Sequence, residues 1–132
     1  METDFRTFIS QLSETEQTVL FTLLKYNCAM SIKTIRNKII EDLMKKHIPK
    51  GYTFRHPMKR DTYSEIIKVH EKELKSNGIR VPSWNGIKHA LENLVKLKIV
   101  KQRVAVIEKA DVLFFVVPEI YNAWLKVAEQ SS

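Results

Sequence analysis

One stretch of the sequence decides the fold, residues 61–117: DTYSEIIKVHEKELKSNGIRVPSWNGIKHALENLVKLKIVKQRVAVIEKADVLFFVV. Its apolar residues first recur at intervals of three and four, which predicts a helix over residues 62–77. After a short turn the same spacing returns behind Ser83, whose hydroxyl can accept a hydrogen bond from the first helical turn. A second helix is therefore predicted from Ser83 to about Lys98.

The remainder of this stretch has the composition of β-strands. Residues 99–107 are rich in valine and isoleucine, and the apolar run 112–117 is their natural partner. A β-hairpin is thus predicted over 99–117, closed by residues 108–111, and we expect the run 112–117 to pack on both faces. Helix, turn, helix and hairpin is the order of a winged helix-turn-helix, so the predicted fold class is mainly α with a small β-hairpin.

The flanking segments add helices to this unit. Residues 1–47 are predicted to form N-terminal helices, with Ser13 and Glu16 as a capping box and Ser31 as a second cap. A proline opens the segment 118–130, which suits the first turn of a C-terminal helix. The 132 residues are expected to form a single winged-helix domain with these extra helices.

A basic loop is predicted over residues 48–61, where two prolines interrupt the helical periodicity. The segment from Lys45 to Arg60 holds six Lys or Arg residues and no Asp or Glu. Both a solvated surface loop and a loop that lies along phosphates fit this charge. Thr62 and Glu65 match a capping box, so the next helix is expected to begin at Thr62.

The net charge of +7 and the pI near 9.5 favour an anionic partner, nucleic acid first and an acidic membrane surface second. A surface whose charge only keeps the protein in solution is the alternative. The single cysteine, Cys28, is expected to be a buried, inert thiol in a reducing compartment. No apolar run is long enough to span a bilayer, and no secretory signal opens the chain. We expect an intracellular protein without a membrane partner, nuclear if eukaryotic and cytoplasmic if prokaryotic or viral.

The sequence offers little for catalysis. The three glycines form no phosphate-binding loop, and the four histidines lack partners at metal-ligand spacing. His70 lies on an apolar helical stripe and is expected to be a core residue. We predict that the protein is not an enzyme and needs neither a metal nor a cofactor.

The second predicted helix supplies the residues most suited to read DNA. Asn85 could pair with adenine, and Lys88 with guanine or a phosphate. Alternatively, Trp84 covers the edge of the core and the two polar residues are plain solvent positions. The candidate DNA-binding residues are Trp84, Asn85, Lys88 and His89 on this helix, Lys101, Arg103 and Lys109 on the hairpin, and Lys50, Arg55, Lys59 and Arg60 in the basic loop.

Two runs also resemble a known family. Residues 61–83, DTYSEIIKVHEKELKSNGIRVPS, and 87–100, IKHALENLVKLKIV, resemble the C-terminal winged-helix domain of origin-recognition AAA+ initiators, most of all the fourth subunit of the eukaryotic complex. The matching residues are Tyr63, Leu74 and Gly78 in the first part and Leu91, Leu94, Leu97, Ile99 and Val100 in the second. The resemblance covers residues 61–125 and implies DNA binding within a replication-initiation assembly. The ATPase module of that family is not in this sequence, and the helix at residues 31–46 is an addition to its simple domain.

These observations favour binding of double-stranded DNA, in replication initiation or in transcription regulation. Other subunits of such a complex are further expected partners, and the terminal helices could mediate a homodimer. The alternative is a winged helix that binds protein within a larger assembly, because the fold alone does not decide between the two. Its apolar docking surface would combine Trp84, Tyr121 and Trp124.

Overall fold

The computed structural model describes residues 2–52, 60–106 and 110–131. Within these ranges the chain is mainly α, with six α-helices and one antiparallel hairpin near the C-terminus, and the sixth helix follows the hairpin. The elements are α1 (Glu2–Ser10), α2 (Glu14–Tyr26), α3 (Ile32–His47), a 3₁₀ turn (Pro49–Gly51), α4 (Arg60–Ser76), α5 (Trp84–Lys96), β1 (Val100–Val106), β2 (Ala110–Val116) and α6 (Pro118–Ser131). The predicted mainly α architecture with a small hairpin and a helix after it is confirmed.

Three serine caps begin helices where the sequence predicts them. The Ser13 hydroxyl accepts from the Glu16 N–H at 3.1 Å, and the Glu16 carboxylate accepts from the Ser13 N–H at 2.8 Å, which completes the capping box. Ser31 and Ser83 each accept from the N–H three residues on, at 3.2 Å and 3.0 Å. Local side-chain chemistry thus sets the starts of α2, α3 and α5.

Helix α4 differs from its predicted start. It begins at Arg60, so Thr62 lies inside its first turn and the predicted capping box there is wrong. Neither Arg60 nor Asp61 breaks a helix, and the helix continues back through both. Its end is as expected: Gly78 adopts a positive φ of 74°, and the Ile79 N–H donates to the Leu74 carbonyl at 2.9 Å.

The main core is the hydrophobic cluster that α2, α3, α5 and the hairpin share. Leu20 of α2, Ile35 of α3 and Leu91 of α5 are fully buried in it. Helix α5 packs against α2, α3 and β1, and its predicted apolar stripe is buried. Helix α6 packs beside α1 and places Tyr121 and Trp124 against this core.

A single β-bridge joins the segment between α2 and α3 to the hairpin. Strands β1 and β2 pair from Val100 opposite Val116 to Val106 opposite Ala110. Met30 then forms a bridge to Phe114 on the other edge of β2, with backbone N–H···O distances of 2.9 Å and 2.8 Å. This bridge ties the hairpin to the start of α3.

The far half of the hairpin stands clear of the core. Phe114 is buried, whereas Val112 is 40% exposed and Val104, opposite it, is 65% exposed. The expectation that residues 112–117 pack on both faces is therefore wrong. The hairpin extends past the helices, and no second layer formed by described residues covers its far half.

Cys28 also departs from the expectation, because its side chain is exposed. Helix α2 ends at Tyr26, and Asn27 turns the chain with a left-handed backbone, φ 45°. Cys28 therefore lies in the turn beyond the apolar face of α2 rather than on it.

A second cluster joins α4 to α3. It consists of Ile40 and Met44 of α3 with Ile67 and Leu74 of α4. The two helices that flank Gly78, which the sequence predicts as a packed pair, thus contribute to different clusters: α4 packs on α3, and α5 packs into the main core.

Arg36 links α3 to both α4 and the turn before α5. Its Nε donates to the Pro82 carbonyl at 3.0 Å, and its guanidinium pairs with the Glu71 carboxylate. The Arg36 hydrogen bond holds the pKa of Glu71 below its ordinary value. The side chains of this pair are only 19% and 21% exposed, so water screens the interaction weakly.

We expect Arg36→Met to lower the free energy of unfolding by about 1–3 kcal/mol, because the Pro82 carbonyl loses this donor and the largely buried Glu71 carboxylate keeps the 64% exposed Lys75 but loses its less exposed partner. Lys25→Met is the control, since Lys25 pairs with Asp42 while 58% exposed and such pairs contribute about 0–1 kcal/mol. Urea denaturation of both variants checks this. Equal losses would show that Arg36 is an ordinary surface residue.

His70 is a core residue, as predicted. It is 1% exposed on α4, and its ring stacks on Tyr52 with the centroids 5.7 Å apart. Burial lowers the pKa of His70 because it disfavours the charged imidazolium.

This burial predicts a pH dependence of stability. The unfolded chain has the ordinary histidine pKa of 6.5, so below that pH it binds a proton that the folded domain resists. The stabilisation is complete above pH 6.5 and is lost as the pH falls toward the lowered pKa of the folded state. Between about pH 7.5 and 5.5 we expect a loss of up to about 1 kcal/mol from this group. Urea denaturation should show a flatter pH profile for His70→Gln, and an unchanged profile would contradict the assignment.

Candidate nucleic-acid interface

Helix α5 presents a polar face to solvent. The Ser83 cap and the buried stripe fix its rotation, so that Asn85, Lys88 and His89 all point outward and are exposed. The His89 imidazole lies 3.7 Å from the Glu92 carboxylate, one turn along the same face. The exposure that a nucleic-acid contact requires is therefore present at these three positions.

One side of the polar face of α5 contacts α2. Asn93 donates its amide to the Glu16 carboxylate of α2, which also completes the α2 capping box. This carboxylate is thereby committed to two internal hydrogen bonds, and its pKa is lowered despite the opposing effect of burial. On the opposite side of α5, Trp84, Lys88 and Glu92 line a groove that they share with the hairpin.

Trp84 lies between two clefts and is 48% exposed. The first, here called the wing-side groove, has a volume of about 560 Å³ and runs between α5, the start of α3 and the hairpin. Its lining includes Lys33, Trp84, Lys88, Glu92, Gln102 and Val112. The second, the α3–α4 cleft, has a volume of about 260 Å³ and is lined by Lys33, Lys68 and Trp84 among others. Trp84 thus leaves about half of its side chain open rather than sealing the core.

The structure does not bring the hairpin cations to the α5 side. Lys101 and Arg103 are exposed on β1, but side chains alternate along a strand, and Gln102 between them lines the wing-side groove. Arg103 instead lines a cleft with Asn27 and other residues at the end of α2. These two cations and Lys88 therefore occupy opposite faces of the hairpin.

The basic loop is only partly described. Lys50 is exposed in the 3₁₀ turn after α3, whereas the start of α5 lies near the other end of α3. The 16 residues of α3 span about 24 Å, so Lys50 is remote from the start of α5. Arg60 is the first residue of α4, while Arg55 and Lys59, like Lys109 of the hairpin, lie outside the described residues.

Two lysines that the sequence reasoning missed lie near Trp84. Lys33 of α3 lines both clefts, and Lys68 of α4 lines the second. The exposure of Lys33 was foreseeable, since it follows the Ser31 cap, but its neighbours depend on how α3 packs against α5. No local signal marks either residue as part of a site.

The docking surface of the alternative function is not assembled as one patch. Trp84 lines the two clefts, whereas Tyr121 and Trp124 lie together on α6, with ring centroids 5.9 Å apart, and pack against the main core. Among residues 2–52, 60–106 and 110–131 no group of three or more His, Cys, Asp or Glu side chains could hold a metal ion. Nor does any helix in these ranges combine the length and apolarity needed to cross a bilayer.

Comparisons of the chain with protein-family models, with curated proteins and with solved structures found no match. The resemblance to origin-recognition initiators therefore stays a prediction. The candidate interface rests on the exposed face of α5 and on the clefts beside Trp84.

Proposed function

We propose that the domain is a winged helix that binds duplex DNA through the exposed face of α5. The order of α2, the Met30 bridge, α3, α5 and the hairpin supports this fold. In this proposal α3 and α5, which pack together, form the helix-turn-helix pair, and α4 is an insertion between them.

The observation that carries the proposal is the outward placement of Asn85, Lys88 and His89 on one capped helix of a chain with net charge +7. A helix with its side chains is about 10–12 Å wide, which matches the major groove. Asn85 can pair with the edge of adenine, and Lys88 with guanine or a phosphate. His89 can donate to a base edge in the groove or to a phosphate of the backbone. Phosphate contacts would fix the register while these side chains read bases.

The hairpin has a secondary part in this proposal. Lys101 and Arg103 lie on its face away from α5, so they would reach phosphates that flank the α5 contact. Replication initiation or transcription regulation is the setting we propose, with the family resemblance of residues 61–125 as the support for the former.

Fluorescence anisotropy with a labelled duplex of about two helical turns tests the proposal. We expect Lys88→Ala to weaken binding by about fivefold, because one contact on the proposed face is lost. Arg103→Ala should weaken it less, and Lys126→Ala, which removes an exposed charge from α6, should leave it unchanged. Equal effects of all three would indicate attraction by net charge alone, and no binding of the wild type would refute the proposal.

A protein partner is the second candidate, because the hairpin exposes apolar side chains. Val104 and Val106 are 65% and 70% exposed on the face that also bears Val112. An apolar strand face of this kind is typical of a protein-binding surface. A stable complex with a protein that is lost in a Val104→Ser, Val106→Ser double variant, together with no duplex binding, would select this function.

A further inference from the structure

We propose that Trp84 is a stacking platform for an unpaired nucleobase, so that the domain prefers duplex DNA with a single-stranded end. This inference rests on the proposed function, because it names the form of DNA that the α5 surface takes. It is carried by the exposure of Trp84 and by the lysines that line the two clefts beside it.

The Trp84 ring is accessible from two concave surfaces. It opens both to the wing-side groove and to the α3–α4 cleft, and Lys33 lines both as well. A base inside a duplex is stacked on both of its faces and offers only its edges to a protein. An unpaired base can enter a cleft and stack its face on an aromatic ring, whatever its sequence.

Three lysines, each from a different helix, share the clefts with this ring. Lys33 of α3, Lys68 of α4 and Lys88 of α5 line the two clefts beside Trp84. None of the three forms an ion pair with any residue in the parts of the chain that the structure describes. They are therefore available for the phosphates on either side of a stacked base.

Acidic residues line both clefts as well: Glu92 and Asp111 lie in the wing-side groove, and Glu71 lies in the α3–α4 cleft. Glu92 is two turns along α5 from Trp84, about 12 Å away. Glu71 is paired with Arg36, so the three lysines face two other carboxylates in the clefts, Glu92 and Asp111. An excess of positive charge beside an aromatic ring favours a strand of nucleic acid over an apolar peptide at Trp84.

The test compares three DNA probes of the same sequence: a blunt duplex, the same duplex with a single-stranded thymine tail, and the thymine strand alone. The measured quantity is the affinity for the tailed duplex divided by the affinity for the blunt duplex. A variant that weakens only the duplex contact lowers both affinities equally and leaves this ratio unchanged. We expect a ratio of about ten for the wild type, because one stacked base contributes about that factor. The ratio should fall to about one in Trp84→Ala, be intermediate in Trp84→Phe, and stay unchanged in Trp124→Phe.

Fluorescence provides a direct readout. The chain has two tryptophans, so in Trp124→Phe the emission comes from Trp84 alone, and stacking of a base should quench it. Equal affinities for tailed and blunt duplex would overturn the inference and leave the proposed function standing. Binding and quenching by the tailed and single-stranded probes without blunt-duplex binding would support the platform and refute duplex recognition. Failure of all three probes to bind would overturn both and favour a protein occupant.

Discussion

Leu91→Ala is expected to lower the free energy of unfolding by about 2–5 kcal/mol, which is a large share of the stability of a small domain. Leu91 is 0% exposed on α5, and α5 packs against α2, α3 and β1. The substitution therefore removes buried methyl groups and leaves a cavity where four elements meet. Because these elements hold one another in place, the surroundings cannot collapse to fill it. Urea denaturation followed by circular dichroism measures the loss.

Leu97→Ala is the matched control, since it removes the same atoms from the residue that follows α5. Leu97 is 46% exposed, so its truncation should cost no more than about 0.5 kcal/mol. If the two variants lose the same stability, α5 is not anchored in the core as described, and the orientation of its polar face would have to be revised.

The first residues of most helices and their buried apolar stripes were predictable from the sequence, because both depend on residues close together in the chain. Helix α5 shows this: Ser83 caps it, and Ile87, Leu91 and Leu94 lie three and four residues apart and are all buried. The same local rules place α2 and α3. The predicted start of α4 at Thr62 is wrong, because a capping pattern does not prevent a helix from beginning at an earlier residue.

The partners of these helices were not predictable, because they depend on contacts distant in the sequence. The helices on either side of Gly78 are neighbours in the chain, yet α4 packs on α3 in the second cluster while α5 enters the main core. The clefts beside Trp84 follow from that arrangement. Lys33 and Lys68 join the candidate site only through it, since they are 51 and 16 residues from Trp84 in the sequence.

Composition predicted the hairpin but not its exposure. Valine and phenylalanine favour a strand wherever a pleated surface forms, so the run 112–117 is predicted as β, and residues 112–116 do belong to β2. The burial of this strand depends on whether other elements pack on each face of the sheet. The local sequence does not determine that packing. The alternation along β1 likewise turns Lys101 and Arg103 away from Lys88, although all three belong to one predicted site.

Raising the salt concentration from about 50 to about 200 mM is expected to weaken duplex binding by about 100-fold, for about four phosphate contacts. Each cation that neutralises a phosphate releases a condensed counterion, so the logarithm of the affinity falls linearly with the logarithm of the salt concentration. Lys33, Lys88, Lys101 and Arg103 are exposed cations of the proposed surface. Anisotropy titrations at four salt concentrations measure the slope.

The slope also tests which cations make contact. Lys88→Ala should reduce its magnitude by about one if Lys88 meets a phosphate, and should leave it unchanged while lowering affinity if Lys88 meets a guanine. Lys126→Ala on α6 should change neither. A protein partner held by the exposed valines would show the opposite behaviour, because burial of apolar surface does not weaken as salt is added. A flat salt dependence would therefore refute binding through this cationic surface and favour a protein partner bound at the hairpin.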